Sequence, residues 1–419
     1  MLIYLRISGI INVYQIKEDT EMKECFKKAL SIILTVVMIL SFSAVSFAAD
    51  ESGIRFNADG KFRIMHITDT HLEEYNLEAS VWAIGEACDI ENPDIVIITG
   101  DNVQNCENAA DTKKLIDGLM NVFESRNIPV AVTFGNHDSE TGAMSREELM
   151  AYYNTFSCSV SVDDGEALSG CGTYNIPVMS SDGEKVKFNL WVFDSNDYDS
   201  EGNYSCVQAD QVEWYKAKSD ELRAANGGEP VYSLAFQHII VSEVFDGLKK
   251  IDSEELFSVK NIYTDEYFVF DPDVVNYGTL MEKPCPGYDN FGQFDAMVEK
   301  GDVLGMFTGH DHTNAFGVTY KGIVLSESLS TRYNGDRYST QYGYRILEIN
   351  EEDTSVFTSR VVHWYDIFDI DYATNEMKNG DTYGFRTALD IAIKGFFQKA
   401  ILFVYIGFGE LVTGRQVSY

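Results

Sequence analysis

The chain has 419 residues and a formal charge of −34, from 66 acidic against 32 basic side chains. A hydrophobic content of 45% and an aromatic content of 13% are those of a chain that buries a core, which argues against disorder as a global description. The acidity argues against a basic face for a nucleic-acid duplex, because like charges repel over the Debye length, and the bland reading of it is a solvated surface.

The chain opens with an address. Lys23, Lys27 and Lys28 precede an apolar run over residues 30–44, and the small residues Ser46 and Ala48 then stand at the −3 and −1 positions of a cleavage site before Ala49. This is the three-part layout of a secretory signal, expected over residues 22–48, and the run is too short for a membrane span. Residues 1–21 lengthen the region ahead of the signal without an evident role, so translation is expected to begin at Met22 and the mature chain near Ala49, outside the cytoplasm. Six cysteines follow, and Cys158 with Cys171, flanking a turn-rich segment, are the expected disulfide.

From Lys61 onward short apolar strands alternate with helical patterns. Strands are expected at 62–68, 94–100 and 129–135, with helices at 77–90 and 112–126 between them. Further strands lie in KVKFNLWVFDS and PVYSLAFQH, separated by a helix that starts near Gln208. This alternation predicts βαβ units and a sheet covered on both faces. Residues 241–288 are irregular and read as an insertion over a site. After VLGMFTGH comes a strand-rich run, 314–364, that reads as a β meander. In the tail, residues 387–410 form an interrupted apolar face, either a helix packed on the domain or one lying in a membrane interface.

Polar residues fall where strands end. Asp69-Thr70-His71, Gly100-Asp101, Gly135-Asn136-His137-Asp138, His238 and Gly309-His310-Asp311-His312 each follow an apolar strand at once, and they hold five of the seven histidines. Loops at the C-terminal ends of strands converge on the ligand crevice of an open α/β sheet. Imidazole nitrogen and carboxylate oxygen suit Zn, Fe and Mn, and two metals sharing a carboxylate can clamp an in-line displacement. Taken singly, Asp69 and Asp101 would more often be helix N-caps and His238 a core histidine. His66, in mid-strand, and His363 read as packing residues.

The ordered blocks D-x-H, G-D, G-N-H-D, H and G-H-x-H, spread over residues 62–364, resemble the calcineurin-like metallophosphoesterase superfamily. GDVLGMFTGHDHTNAFG and QADQVEWY resemble its Dcr2-like branch, related to purple acid phosphatases. The resemblance implies an α/β fold, a four-layered αββα sandwich, as a catalytic domain over residues 49–365, with residues 366–419 as a tail. It implies a dinuclear phosphoesterase in which a hydroxide shared by two metal ions attacks a phosphate mono- or diester. One metal would be held by Asp69, His71, Asp101 and His312, the other by Asp101, Asn136, His238 and His310. His137 would donate to the transition state or the leaving oxygen, with Asp138 orienting it by adjacency. The metals are expected to be Mn, Fe or Zn rather than Mg, and the substrate a small phosphorylated molecule, nucleotides among the candidates. Apart from the resemblance, Arg332 and Arg337 either line a solvated loop, the first reading, or serve as phosphate contacts. The stretch after Asp101 carries Gln104-Asn105, with neither the tyrosine of a purple iron site nor the Asp-Arg pair of the phosphoprotein phosphatases. The alternative is a non-catalytic binding protein on the same fold.

Overall fold

Side chains alternate across a strand, so a strand apolar on both faces must be covered on both. The first half of the chain is built this way: β1 (Lys61–Ile67), α1 (Leu77–Glu91), β2 (Ile95–Thr99), α2 (Ala109–Glu124), β3 (Val130–Thr133) and α3 (Arg146–Tyr153). Met65, Ile67, Val96, Ile98, Val130 and Val132 face a core closed by the helices, while Phe62, Ile64, Ile95, Ile97 and Ala131 face a second core. The computed structural model describes residues 53–163, 168–271, 273–333 and 342–368, and those from Ile54 onward belong to one compact unit. The expected signal segment, most of the expected tail and Arg337 lie outside the described residues.

The second half repeats the logic with β4 (Tyr174–Met179), β5 (Val186–Val192), α4 (Ala209–Ala225) and β6 (Ser233–Phe236). The segment expected to be irregular is ordered: a 3-10 helix (Ser242–Gly247) leads into β7 (Leu248–Ile251), β8 (Val259–Lys260) and β9 (Tyr267–Phe270), which form a small sheet of their own. β10 (Val275–Thr279) then returns to the edge of a larger sheet. The chain continues through α5 (Gln293–Lys300), β11 (Val303–Thr308), β12 (Ala315–Tyr320), β13 (Ile323–Glu327), β14 (Gly343–Asn350), β15 (Asp353–His363) and α6 (Trp364–Ile367).

Two sheets result, ordered β15-β14-β1-β2-β3 and β10-β12-β13-β11-β6-β5-β4. The expected meander is therefore divided between them. β12 and β13 form a hairpin in the seven-stranded sheet, whereas β14 crosses to pair antiparallel with β1. The reason is in β14 itself: Tyr344 and Ile346 face the helix-side core while Leu347 and Ile349 face the core between the sheets, so the strand needs cover on both sides. Phe188, Leu190, Leu234, Phe236 and Phe307 meet that inter-sheet core from the other sheet, and Trp191, Ala235 and Met306 turn outward to α4 and α5. The layers read helix, sheet, sheet, helix.

The expected Cys158–Cys171 disulfide is absent: all six described cysteines are free thiols. The two anchor on different elements. The Cys158 amide donates to Glu124 on α2 and its carbonyl accepts from Val130 at the start of β3, whereas the Cys171 amide donates to Asp194 beyond β5.

Two glycines let the strand ends approach one another. Gly100 has a φ of +94° and a Cβ there would stand 2.1 Å from the Gly135 amide nitrogen; a Cβ on Gly309 would stand 1.9 Å from Thr68 Oγ1. Gly100→Ala is expected to destabilise the fold by more than about 1 kcal/mol, through the forbidden backbone and the clash together. Urea unfolding of the two proteins checks this, and an unchanged midpoint would show that the strand ends are loosely held.

Candidate metal centre

The C-terminal ends of β1, β2 and β3 in one sheet, and of β6 and β11 in the other, meet at one point. Backbone bonds knit the turns. The Asp69 amide donates to the Gly100 carbonyl at 3.0 Å, that of His71 to the Asp101 carbonyl at 2.9 Å, and that of Gly309 to the His238 carbonyl at 3.1 Å. Asp69, His71, Asp101 and His310 all have positive φ, at 50°, 40°, 51° and 74°. A side chain in that region costs free energy that a linking turn alone would not need, and such residues cluster at functional sites. The simple reading of Asp69 and Asp101 as helix caps does not hold, because the N-cap position of α1 falls at Asn76 and that of α2 at Asn108, whose side chain accepts from the first turn.

Two donor groups form. Asp69, His71 and His312 make one, and Asp101, His238 and His310 the other; within each, the ligand atoms lie within 4.8 Å of one another. His71 Nε2 is 3.7 Å from Asp69 Oδ1 and 3.8 Å from Asp101 Oδ2, which sets Asp101 between the groups; His238 Nε2 is 3.2 Å from that same Asp101 oxygen. Asn136 Nδ2 donates to the Tyr198 hydroxyl at 2.9 Å, which leaves Asn136 Oδ1 buried without a partner. Asp69 Oδ1 is likewise buried and unpartnered. Orphaned buried oxygens are costly, and His71 Nε2 and His312 Nε2 stand 2.9 Å apart, close enough to share one hydrogen or to face one ion. A pair of cations would satisfy all of these atoms, so the residues fit two metal ions.

The electrostatics agree. Burial works to raise Asp69, but His238, His71 and His312 outweigh it and hold the carboxyl below the usual carboxylate range. Burial works to lower His238, but Asp101 and Asp69 carry it up to about 9. Burial, aided by the neighbouring His238, pulls His310 down to about 3. His66 keeps its expected packing role. It is buried between Ser328 Oγ at 3.0 Å and Thr99 Oγ1 at 2.8 Å, and burial takes it down to about 3.

Asp138 is not the partner of His137, contrary to expectation. Its carboxylate accepts from the amides of Asp101 at 2.8 Å, Asn102 at 2.9 Å and Gly135 at 2.8 Å, and so ties the turn after β2 to the turn after β3. Burial and the nearby Asp101 push it up to about 6. The residue on His137 is Glu140, whose Oε2 meets Nδ1 at 2.6 Å. The spacing of three residues from His137 to Glu140 is the local signal for this pair. Arg146, which no local pattern marks, bridges the Gly135 carbonyl, at 2.8 Å, to Asp194 just beyond β5. Arg332 is half-buried with its guanidinium 5.6 Å from the Tyr75 ring, two residues beyond Ser330, whose hydroxyl donates to the Asp69 carbonyl at 2.6 Å.

A profile of the calcineurin-like phosphoesterase family matches residues 62–314, and the chain belongs to that family. Among curated relatives it is 26% identical to "Probable inactive purple acid phosphatase 14" of Arabidopsis thaliana, over 76% of this chain and 82% of that one. It is also 26% identical to "Phosphatase DCR2" of Saccharomyces cerevisiae, over 62% of this chain and 45% of the relative. A solved dimetal phosphatase from Danio rerio aligns with 72% of this chain and 99% of its own, at 13% identity and a TM-score of 0.46.

A ligand imidazole must be neutral, and His238 stays protonated up to about 9 in the metal-free centre. Burial works to lower His71 too, but Asp69 and Asp101 carry it up. Metal loading at pH 7 is therefore expected to release about one to two protons, and affinity to rise with pH up to about 9. Calorimetric titration of the apo-protein in buffers of differing ionisation enthalpy measures the release; zero release would contradict the assignment of His238.

Proposed function

We propose that this chain is a secreted dinuclear metal-dependent phosphoesterase that hydrolyses small phosphate mono- or diesters. The observation that carries the reading is two adjoining donor groups, one holding Asp101 and the other reaching it through His71 Nε2 at 3.8 Å, with Asn136 Oδ1 and Asp69 Oδ1 buried and without a hydrogen-bond partner beside them. Asp69, His71, Asp101 and His312 would hold one ion, and Asp101, Asn136, His238 and His310 the other, from Mn, Fe or Zn. Metals so held supply Lewis acidity, polarising a phosphoryl oxygen and acidifying water. The signal layout over residues 22–48 supports export.

The protein's own groups do the positioning and the proton work. His137 lies at the edge of the cluster, its ring 5.5 Å from that of His71, with about a quarter of the side chain open to solvent (27%). Its amide donates to Asp101 Oδ1 at 2.8 Å, which locks the residue to the shared carboxylate. With Nδ1 engaged by Glu140, Nε2 is the nitrogen left to meet an ester oxygen. Donation from Nε2 requires the doubly protonated ring, one N–H on Glu140 and the other on the leaving oxygen.

The second reading, a binding protein without turnover, is favoured by the word "inactive" in the names of several relatives. Turnover of p-nitrophenyl phosphate and bis-p-nitrophenyl phosphate by chelated protein reloaded with Mn, Zn, Fe or Mg separates the two. We expect hydrolysis that depends on the metal; a folded, metal-loaded protein that cleaves neither ester would establish the binding reading. His137→Ala is expected to lower kcat about 10²–10⁴-fold at unchanged metal content, and Glu140→Gln to cause a smaller loss. A parallel loss of bound metal in either variant would assign the residue to the metal sites instead.

A further inference from the structure

We propose that a wall of tyrosines beside Asn136 and His310 binds the organic part of the ester and selects a flat aromatic group; this rests on the phosphoesterase reading above. Between β5 and α4 the chain forms a small hairpin in which Tyr198 and Tyr204 are cross-strand partners. The Asp199 amide donates to the Asn203 carbonyl at 2.8 Å and that of Ser205 to the Asp197 carbonyl at 3.0 Å, which fixes the hairpin. The two rings stack, with centroids 5.7 Å apart and planes at 26°.

Each ring touches a residue of the second donor set. The Tyr198 hydroxyl accepts from Asn136 Nδ2, and the Tyr204 ring meets the His310 ring edge-on, with centroids 4.3 Å apart at 85°. The wall continues outward. The Tyr288 amide donates to the Tyr204 carbonyl at 2.9 Å, its ring stands 5.0 Å from that of Tyr263, and Tyr263 is pinned by donating to the Pro286 carbonyl at 3.0 Å. Four tyrosines from three separate segments thus run from the donor atoms toward solvent, with Tyr198 38% and Tyr288 56% exposed. Rings this exposed add little to a core; what they offer is a rigid, flat apolar face with polar tips.

Charge narrows the class. The Tyr198 amide donates to Asp197 Oδ1 at 2.7 Å, and Glu140 stands on His137, next in the chain to the Asn136 that holds the Tyr198 hydroxyl. A chain of further phosphates along this wall would meet carboxylates. The organic group that fits is aromatic and carries little negative charge of its own.

The test uses the full chain loaded with metal and two non-hydrolysable probes, phenylphosphonate and methylphosphonate, titrated by calorimetry. Phenylphosphonate is expected to bind about tenfold more tightly, the scale of one good aromatic contact. That ratio should collapse toward one in Tyr204→Leu and fall in Tyr288→Ala, with metal content and thermal midpoint recorded for each. Equal affinity of the unmodified protein for both probes overturns the wall while leaving the phosphoesterase reading intact, as does a preference that survives both substitutions. Failure of the metal-loaded protein to bind either probe overturns both. A second pair, the non-hydrolysable phosphonate analogues of AMP and of ribose 5-phosphate, assigns the aromatic group to a nucleobase if the former is preferred and to a directly esterified ring if it is not.

Discussion

Asp69 and Asp101 are sealed at the ends of neighbouring parallel strands, 0% and 1% exposed, and the structure around them is arranged to neutralise them. Burying a carboxylate is expensive unless it is paired, and these two share one small space. Four histidines surround them, and without metal the centre is balanced by protons, which is why His238 is held up to about 9. Cations would replace those protons and satisfy the orphaned oxygens of Asp69 and Asn136 at once. The surrounding histidines, the positive φ values and the close-packed glycines serve to hold two buried acids together where positive charge, from protons or from cations, balances them.

The centre belongs to neither sheet. Three of the converging strand ends come from the five-stranded sheet and two from the seven-stranded one, so the packing between the sheets sets the distances between donor atoms. Cross-links confirm this dependence on the sandwich. His238 Nδ1 lies 2.8 Å from the Thr99 carbonyl, and the His310 amide donates to Asp69 Oδ2 at 3.0 Å, each reaching from one sheet to the other. Asp138 does similar work within the first sheet by gathering three amides from two turns. Its carboxylate shapes the loops on which Asp101, Asn136 and His137 sit, and acts through geometry rather than on a proton of His137.

Around this frame the residues divide by reach. Glu140 and Arg146 steady the loop after β3, the first at the side chain of His137 and the second at the carbonyl of Gly135. The tyrosine hairpin and the ordered insertion approach from the opposite half of the chain. What lies beyond the donor atoms on that side is therefore built from segments outside the motif blocks themselves.

Much of this could be read directly from the amino-acid order. Strand-then-polar blocks are local signals: an apolar run, a glycine and an adjacent ligand-type side chain stand together in the chain, so β1, β2, β3, β6 and β11 and the residues at their ends were legible. So was the packing role of His66, since it sits mid-strand with apolar neighbours. Contacts between distant segments were not. Nothing local marks Cys158 and Cys171 as anchored on different elements, divides the final strands between two sheets, or gives Asp138 to three backbone amides instead of the histidine beside it. Tyr198 and Tyr204 look like any loop tyrosines until the hairpin lays them against Asn136 and His310. The order of residues determined which chemistry was available, because ligand type and strand period are properties of neighbours; only the packing of two sheets decided which atoms share the space where that chemistry can occur.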